Sequence, residues 1–154
     1  MRGRKLAEAR KAAIPTTSKT EPISTANKGR HAELIAITAL LANGYRVMEP
    51  TTPDVYDLGV TRNEWGNYYR RCQVKTARLR VKDGAEWVVV TGTRNNGQVY
   101  STDEIDDFIG VLNGVPYMFE CRGISEYWVK PTELYEKWTK LDASINNIGK
   151  GAVV

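Results

Sequence analysis

Val55-Tyr56-Asp57-Leu58-Gly59-Val60 and, twelve residues further on, Cys72-Gln73-Val74-Lys75-Thr76 are the stretches that decide the fold. Side chains alternate faces along a strand. In the first run Tyr56, Leu58 and Val60 share one face, and Val55, Asp57 and Gly59 the other. In the second, Gln73 and Lys75 oppose Cys72, Val74 and Thr76. The loop at 62–67 contains Gly66, so Val55–Thr61 and Tyr68–Val81 read as an antiparallel hairpin. Neighbouring strands of that parity place Asp57, Gln73 and Lys75 on one side of a sheet, with room left beside Gly59. Carboxylate and amide oxygens beside an amine suit a hard, oxygen-bound cation such as Mg²⁺.

Upstream, Lys28–Asn43 has helical spacing, with Leu34, Ile37, Thr38 and Leu41 recurring at steps of three and four. Asn27 is the expected N-cap and Asn43-Gly44 the stop signal. Glu33 borders this apolar stripe, so the helix is expected to lay it across the same side of the sheet as Asp57. Tyr45–Met48 reads as a short strand, followed by breaks at Pro50 and Pro53. Downstream, Trp87–Val90, Phe108–Leu112, Tyr117–Cys121 and Tyr127–Lys130 read as strands, and Ser101–Glu104 as one polar helical turn. Pro131 opens a second helix over Glu133–Leu141. The order is that of an α/β or α+β domain, a mixed central sheet flanked by helices.

Positions 1–26 form a basic arm expected to be flexible, 27–142 one domain, and 143–154 a tail. The arm dominates the charge. Residues 1–30 hold eight basic and two acidic side chains, leaving fourteen bases against sixteen acids in the rest. The formal net charge of +4 is therefore not by itself a sign of nucleic-acid binding. Within the domain, however, Arg70, Arg71, Lys75, Arg78, Arg80 and Lys82 occupy thirteen positions that contain no acid.

The single histidine, His31, excludes zinc sites built on two or three histidines. Cys72 and Cys121 are too far apart in sequence for a CxxC pair and are expected to be reduced core residues. Trp87, Tyr117, Trp128 and Trp138 are expected in the core, and Trp65 at a loop tip, packed locally. No apolar run approaches the roughly 20 residues of a membrane span. A cytoplasmic protein is expected, in a bacterial or phage-infected cell.

Glu33 on the first helix, Pro53-Asp54-Val55-Tyr56-Asp57-Leu58, and Gln73-Val74-Lys75 resemble, in this order, the PD-(D/E)XK nuclease superfamily. One branch is particularly similar, the small homing endonucleases of group I introns and their phage relatives. Its Tyr-Asp-Leu and Gln-Val-Lys-Thr strands match Tyr56-Asp57-Leu58 and Gln73-Val74-Lys75-Thr76. Its later tyrosine and acidic segment match Tyr100 and Ile105-Asp106-Asp107-Phe108. Gln73 stands where the superfamily pattern has an acid, which removes one negative charge from the site. Asp57, rather than Asp54, has the parity of Gln73 and Lys75.

The resemblance implies a restriction-endonuclease-like core and Mg²⁺-dependent hydrolysis of DNA phosphodiester bonds, with Mn²⁺ as a substitute metal. It implies Asp57, the Gln73 side-chain oxygen and the Val74 main-chain carbonyl as metal ligands, and Glu33 at a second metal or an outer-shell water. Lys75 would orient water or neutralise transition-state charge. Arg70, Arg71, Arg78, Arg80 and Lys82 would contact phosphates of double-stranded DNA. Two-strand cleavage by so small a domain implies a homodimer or homotetramer. A Holliday-junction or structure-specific resolvase would use the same site, and a non-catalytic DNA-binding module would keep the same fold.

Overall fold

The computed structural model describes residues 21–142; the stretches at 1–20 and 143–154 lie outside the described residues. Helix α1 runs Thr25–Ala42, capped by Ser24, whose side chain accepts the Asn27 N–H at 3.2 Å. The cap thus lies three residues before the expected Asn27, which instead supplies the bonded N–H. The strands are β1 (Arg46–Met48), β2 (Leu58–Thr61), β3 (Arg70–Thr76), β4 (Arg78–Lys82), β5 (Ala85–Thr91), β6 (Asp107–Leu112), β7 (Val115–Glu120), β8 (Glu126–Val129) and β9 (Thr139–Lys140). Helix α2 is a single turn, Leu134–Lys137.

Six strands form the main sheet in the order β1-β2-β3-β6-β7-β9, and β4-β5-β8 form a second, smaller one. The main sheet is mixed: β3 and β6 are parallel, and its other pairs antiparallel. The expected β2–β3 antiparallel pairing is present, with Leu58 opposite Cys72. Asp83-Gly84 and Asn113-Gly114 close the β4–β5 and β6–β7 hairpins with φ of 52° and 75°, and 49° and 79°. Two successive positive φ values are what a two-residue hairpin requires, and Asx-Gly supplies them at low steric cost.

The fold departs from the sequence expectation in its layers. Among the described residues the long helix α1 lies on one face of the main sheet. There Ala32, Ala36, Ala39 and Leu40 of α1 pack on Leu58, Val60, Cys72, Val74, Ile109 and Val111. The other face is covered by the small sheet, whose Val88, Val90, Tyr127 and Val129 meet Phe108, Tyr117 and Phe119. The helix is also rotated from its expected orientation, with Leu34 47% and Leu41 57% exposed. Alanines let its backbone approach the sheet closely, and that contact outweighs the larger but more widely spaced leucines.

The single run expected over Tyr68–Val81 breaks at Ala77, where the chain leaves one sheet and enters the other. The helix expected over Glu133–Leu141 ends after Lys137. Trp138 enters the core and stacks on Phe119 with centroids 4.2 Å apart, and Thr139–Lys140 continue as an edge strand on β7. Cys72 and Cys121 are free and buried, as expected. Trp65 packs edge-on against Tyr45 and Tyr68.

Gly92 ends β5 and starts the loop that returns at Tyr100, whose N–H donates to the Gly92 carbonyl at 3.1 Å. A Cβ at Gly92 would sit 2.5 Å from the Ile124 carbonyl oxygen and 2.8 Å from the Tyr127 ring. Gly92→Ala is therefore expected to lower stability by about 1–3 kcal/mol, as overpacking does. Denaturant unfolding checks this; a midpoint unchanged from wild type would show that the loop yields freely.

Candidate active site

Asp57 immediately precedes β2, where its N–H donates to the Cys72 carbonyl at 3.0 Å. Leu58 is the register partner of Cys72, so Asp57 and Leu58 both oppose that one residue and the strand entry is bulged. The Asp57 Oδ2 accepts the Val74 N–H at 2.9 Å, which fixes the carboxylate against β3. Cys72 and Val74 are buried toward α1, so Gln73 and Lys75 project to the opposite face.

Asp57, Gln73 and Lys75 line one cleft of about 480 Å³, together with Asp54, Val55, Arg94, Asn95, Asn96 and Tyr100. The convergence of the three side chains expected from strand parity is thus present. The space at Gly59 belongs elsewhere: a Cβ there would meet Tyr69 at 3.4 Å and Met48 at 3.5 Å.

Glu33 takes a different position from the one its stripe suggests. Helix α1 lies on the far face of the sheet, and Glu33 lines an adjoining cleft of about 360 Å³ with Arg30, Glu49, Pro53, Asp54 and Asp57. Asp54 and Asp57 border both clefts. Arg30 holds Glu33 at 2.9 Å and Glu49 at 2.7 Å. Asp54 is exposed, and its Oδ1 accepts the neighbouring Val55 N–H at 2.7 Å.

Burial sets the electrostatics. It pushes the Asp57 carboxyl up to about 6, aided by the nearby Glu33 charge and opposed by the Val74 N–H and Lys75. Burial also lowers the Lys75 ammonium, against the pull of Asp57. The Lys75 Nζ donates to the Thr93 carbonyl at 3.0 Å and lies 5.3 Å from the Tyr100 ring centroid. Arg94 covers the same ring at 5.0 Å and is ion-paired with Glu104.

The donor set suits a hard cation. Gln73 Oε1 is buried and has no hydrogen-bond partner. A buried side-chain oxygen left unpaired is costly, and cation coordination would satisfy it. Among the described residues no group of three acids, histidines or cysteines is placed to hold a metal ion by itself. Any cation held here would therefore rest on carboxylate and amide oxygens, not on an acidic cage.

The arginines before the site have partners of their own. Arg70 forks onto Asp107 at 2.5 and 2.8 Å. Arg71 contacts Asp106 at 3.2 Å and the Asp103 carbonyl at 2.6 Å. Burial opposes the Asp106 charge, but the Arg71 N–H and guanidinium prevail and hold its carboxyl below the usual range. The acidic segment Ile105–Phe108 thus clamps the start of β3. Arg78 and Arg80 lie on the small sheet, at 3.6 and 3.5 Å from Glu126.

Arg94, Asn95 and Asn96 escaped sequence reasoning, which took Arg94–Gly97 only as a turn. The available signal was an arginine and two amides directly after a buried strand, where a loop can reach a site.

The class defined by this strand order is an α+β fold, one long helix against a six-stranded mixed sheet, with Asp57, Gln73 and Lys75 lining one cleft. Among solved structures the chain is similar to that of the bacterial homing endonuclease I-Ssp6803I. The TM-score is 0.55 at 24% identity, over 84% of this chain and 94% of that one. At that identity the likeness is one of fold. No family model and no curated protein matches the sequence. No helix among the described residues is long and apolar enough to cross a membrane.

The raised Asp57 carboxyl has a stability consequence of definite sign. Unfolded, the group releases its proton near its ordinary 3.8; folded, at about 6. Between these values the folded chain binds more protons, so stability falls as pH rises through the interval. Asp57→Asn removes the buried charge and is expected to raise stability at pH 7.5 by roughly 1–3 kcal/mol, with little gain at pH 4. Thermal melts at the two pH values check this; an equal shift at both would contradict it.

Proposed function

We propose that this chain is a metal-dependent DNA endonuclease. The observation that carries the reading is the buried, unpartnered Gln73 Oε1 in the same cleft as Asp57 and Lys75. Asp57 and the Gln73 oxygen would hold Mg²⁺, or Mn²⁺ in its place, together with the Val74 carbonyl. A bound divalent cation supplies Lewis-acid polarisation of a phosphoryl oxygen and acidifies water.

The protein's own groups do the rest. The Val74 N–H orients the Asp57 carboxylate, and the Thr93 carbonyl tethers the Lys75 ammonium. Lys75 neutralises charge that develops on the phosphate and positions the attacking water. Glu33 acts from the adjoining cleft, on an outer-shell water or a second cation, once Arg30 shifts its grip toward Glu49. Arg70 and Arg71 are committed to Asp107 and Asp106, so phosphate contact falls chiefly to Arg78, Arg80 and Lys82 on the exposed β4. Cleavage of both strands requires two such sites, and the active form is a homodimer or homotetramer.

A second reading, a DNA-binding module without catalysis, draws on Glu33 being bound by Arg30. Incubation of supercoiled plasmid with the purified chain separates the two. Nicking is expected with Mg²⁺ or Mn²⁺ and not with EDTA, and Asp57→Asn or Lys75→Ala should reduce it roughly 100-fold or more. The rate should fall as pH drops, because the proton and the cation compete for Asp57, and the fall should move to lower pH as Mg²⁺ is raised. Nicking that survives EDTA or either substitution would sink the proposal. A four-way junction cut in preference to linear duplex would assign a resolvase.

A further inference from the structure

Trp87 and Trp128, expected in the core, lie on the outer face of the small sheet. The register settles this: Arg80 pairs with Trp87, Arg78 with Val89, and Val89 with Trp128. These residues share one face, while Val88, Val90, Tyr127 and Val129 face the core. The indoles meet edge to face at 6.1 Å and are only partly buried. Between them and the rim runs a groove of about 330 Å³, lined by Lys82, Asp83, Ala85, Trp87, Trp128 and Lys130.

Cations surround both rings. Lys130 Nζ lies 5.4 Å from the Trp87 centroid, and Lys82 Nζ and the Arg80 guanidinium lie 5.2 and 5.3 Å from that of Trp128. With Arg78 the face holds four cations against Asp83 and Glu126. The acid Glu126 sits at the Arg78–Arg80 end, away from the indole groove.

We infer that this face is a second nucleic-acid site, which stacks unpaired bases of single-stranded DNA on Trp87 and Trp128. Indole faces with cations beside them offer what such a strand needs: a π surface for the base, and ammonium and guanidinium groups for the phosphate. An acidic peptide would use the lysines but has no planar group for the indoles. A duplex hides its base faces within the stack. The site shares Arg78, Arg80 and Lys82 with the phosphate contacts proposed above, but it uses none of the residues of the Asp57 cleft, so it stands whether or not that cleft hydrolyses DNA.

The full chain in EDTA is titrated against fluorescein-labelled oligothymidylate by anisotropy, and its tryptophan emission is followed with unlabelled oligomer. Saturable quenching is expected. Trp87→Leu and Trp128→Leu should each weaken single-strand affinity about tenfold or more, and Trp→Phe at either position should restore part of it. Affinity for duplex of the same length should change less than about twofold in these variants, because stacking is not available to paired bases. Asp57→Asn should leave the quenching intact, which separates failure of this proposal from failure of the nuclease reading. Single-strand affinity unchanged in both leucine variants overturns the inference, as do an equal loss on duplex and equal quenching by polyglutamate. Where circular dichroism shows a leucine variant unfolded, Lys82→Ala/Lys130→Ala on the rim decides: a loss of oligothymidylate affinity larger than the loss on duplex supports the site, and an equal loss or none overturns it.

Discussion

Antiparallel pairing of β2 with β3, with Leu58 opposite Cys72 and the Asp57 N–H tied to the same Cys72 carbonyl, is the constraint on which the rest of the structure depends. It gives β3 two different jobs on its two faces. Cys72 and Val74 bury against α1, while Gln73 and Lys75 stand in the cleft with Asp57. A slip of one residue would exchange the faces, burying a lysine and an amide under the helix and exposing the core. The register is therefore held by burial on the side away from the chemistry.

Acidic residues that do not line the cleft reinforce that register. Asp106 and Asp107 clamp Arg71 and Arg70 at the start of β3, beside its parallel partner β6. Asp107 is 5% exposed, so loss of Arg70 would leave a buried carboxylate without its partner. Segments that resemble a nuclease motif thus divide into those that form the cleft and those that align the strand bearing it.

The cleft is also where the fold is least at ease. Asp57 has its carboxyl pushed up by burial, Lys75 its ammonium pushed down, and Gln73 an unpaired oxygen. Polar groups that are each unfavourable alone, held by backbone bonds from Val74 and Thr93, form a site organised for something other than stability.

Local rules determined a good deal by themselves. Strand parity brought Asp57, Gln73 and Lys75 together, and Asn113-Gly114 marked a turn, because both depend on period and backbone sterics that a short stretch carries. The layers were decided only by the tertiary structure. Leu34 and Leu41 carry the stronger apolar period, yet the alanine face of α1 won because it sits closer to the sheet. Ala77 ends one strand and starts another because the small sheet, not a second helix, covers the far face. That choice turned Trp87 and Trp128 outward and moved Arg78, Arg80 and Lys82 onto a surface of their own. Periodicity says which residues share a face; what that face meets is settled only when the other layers pack.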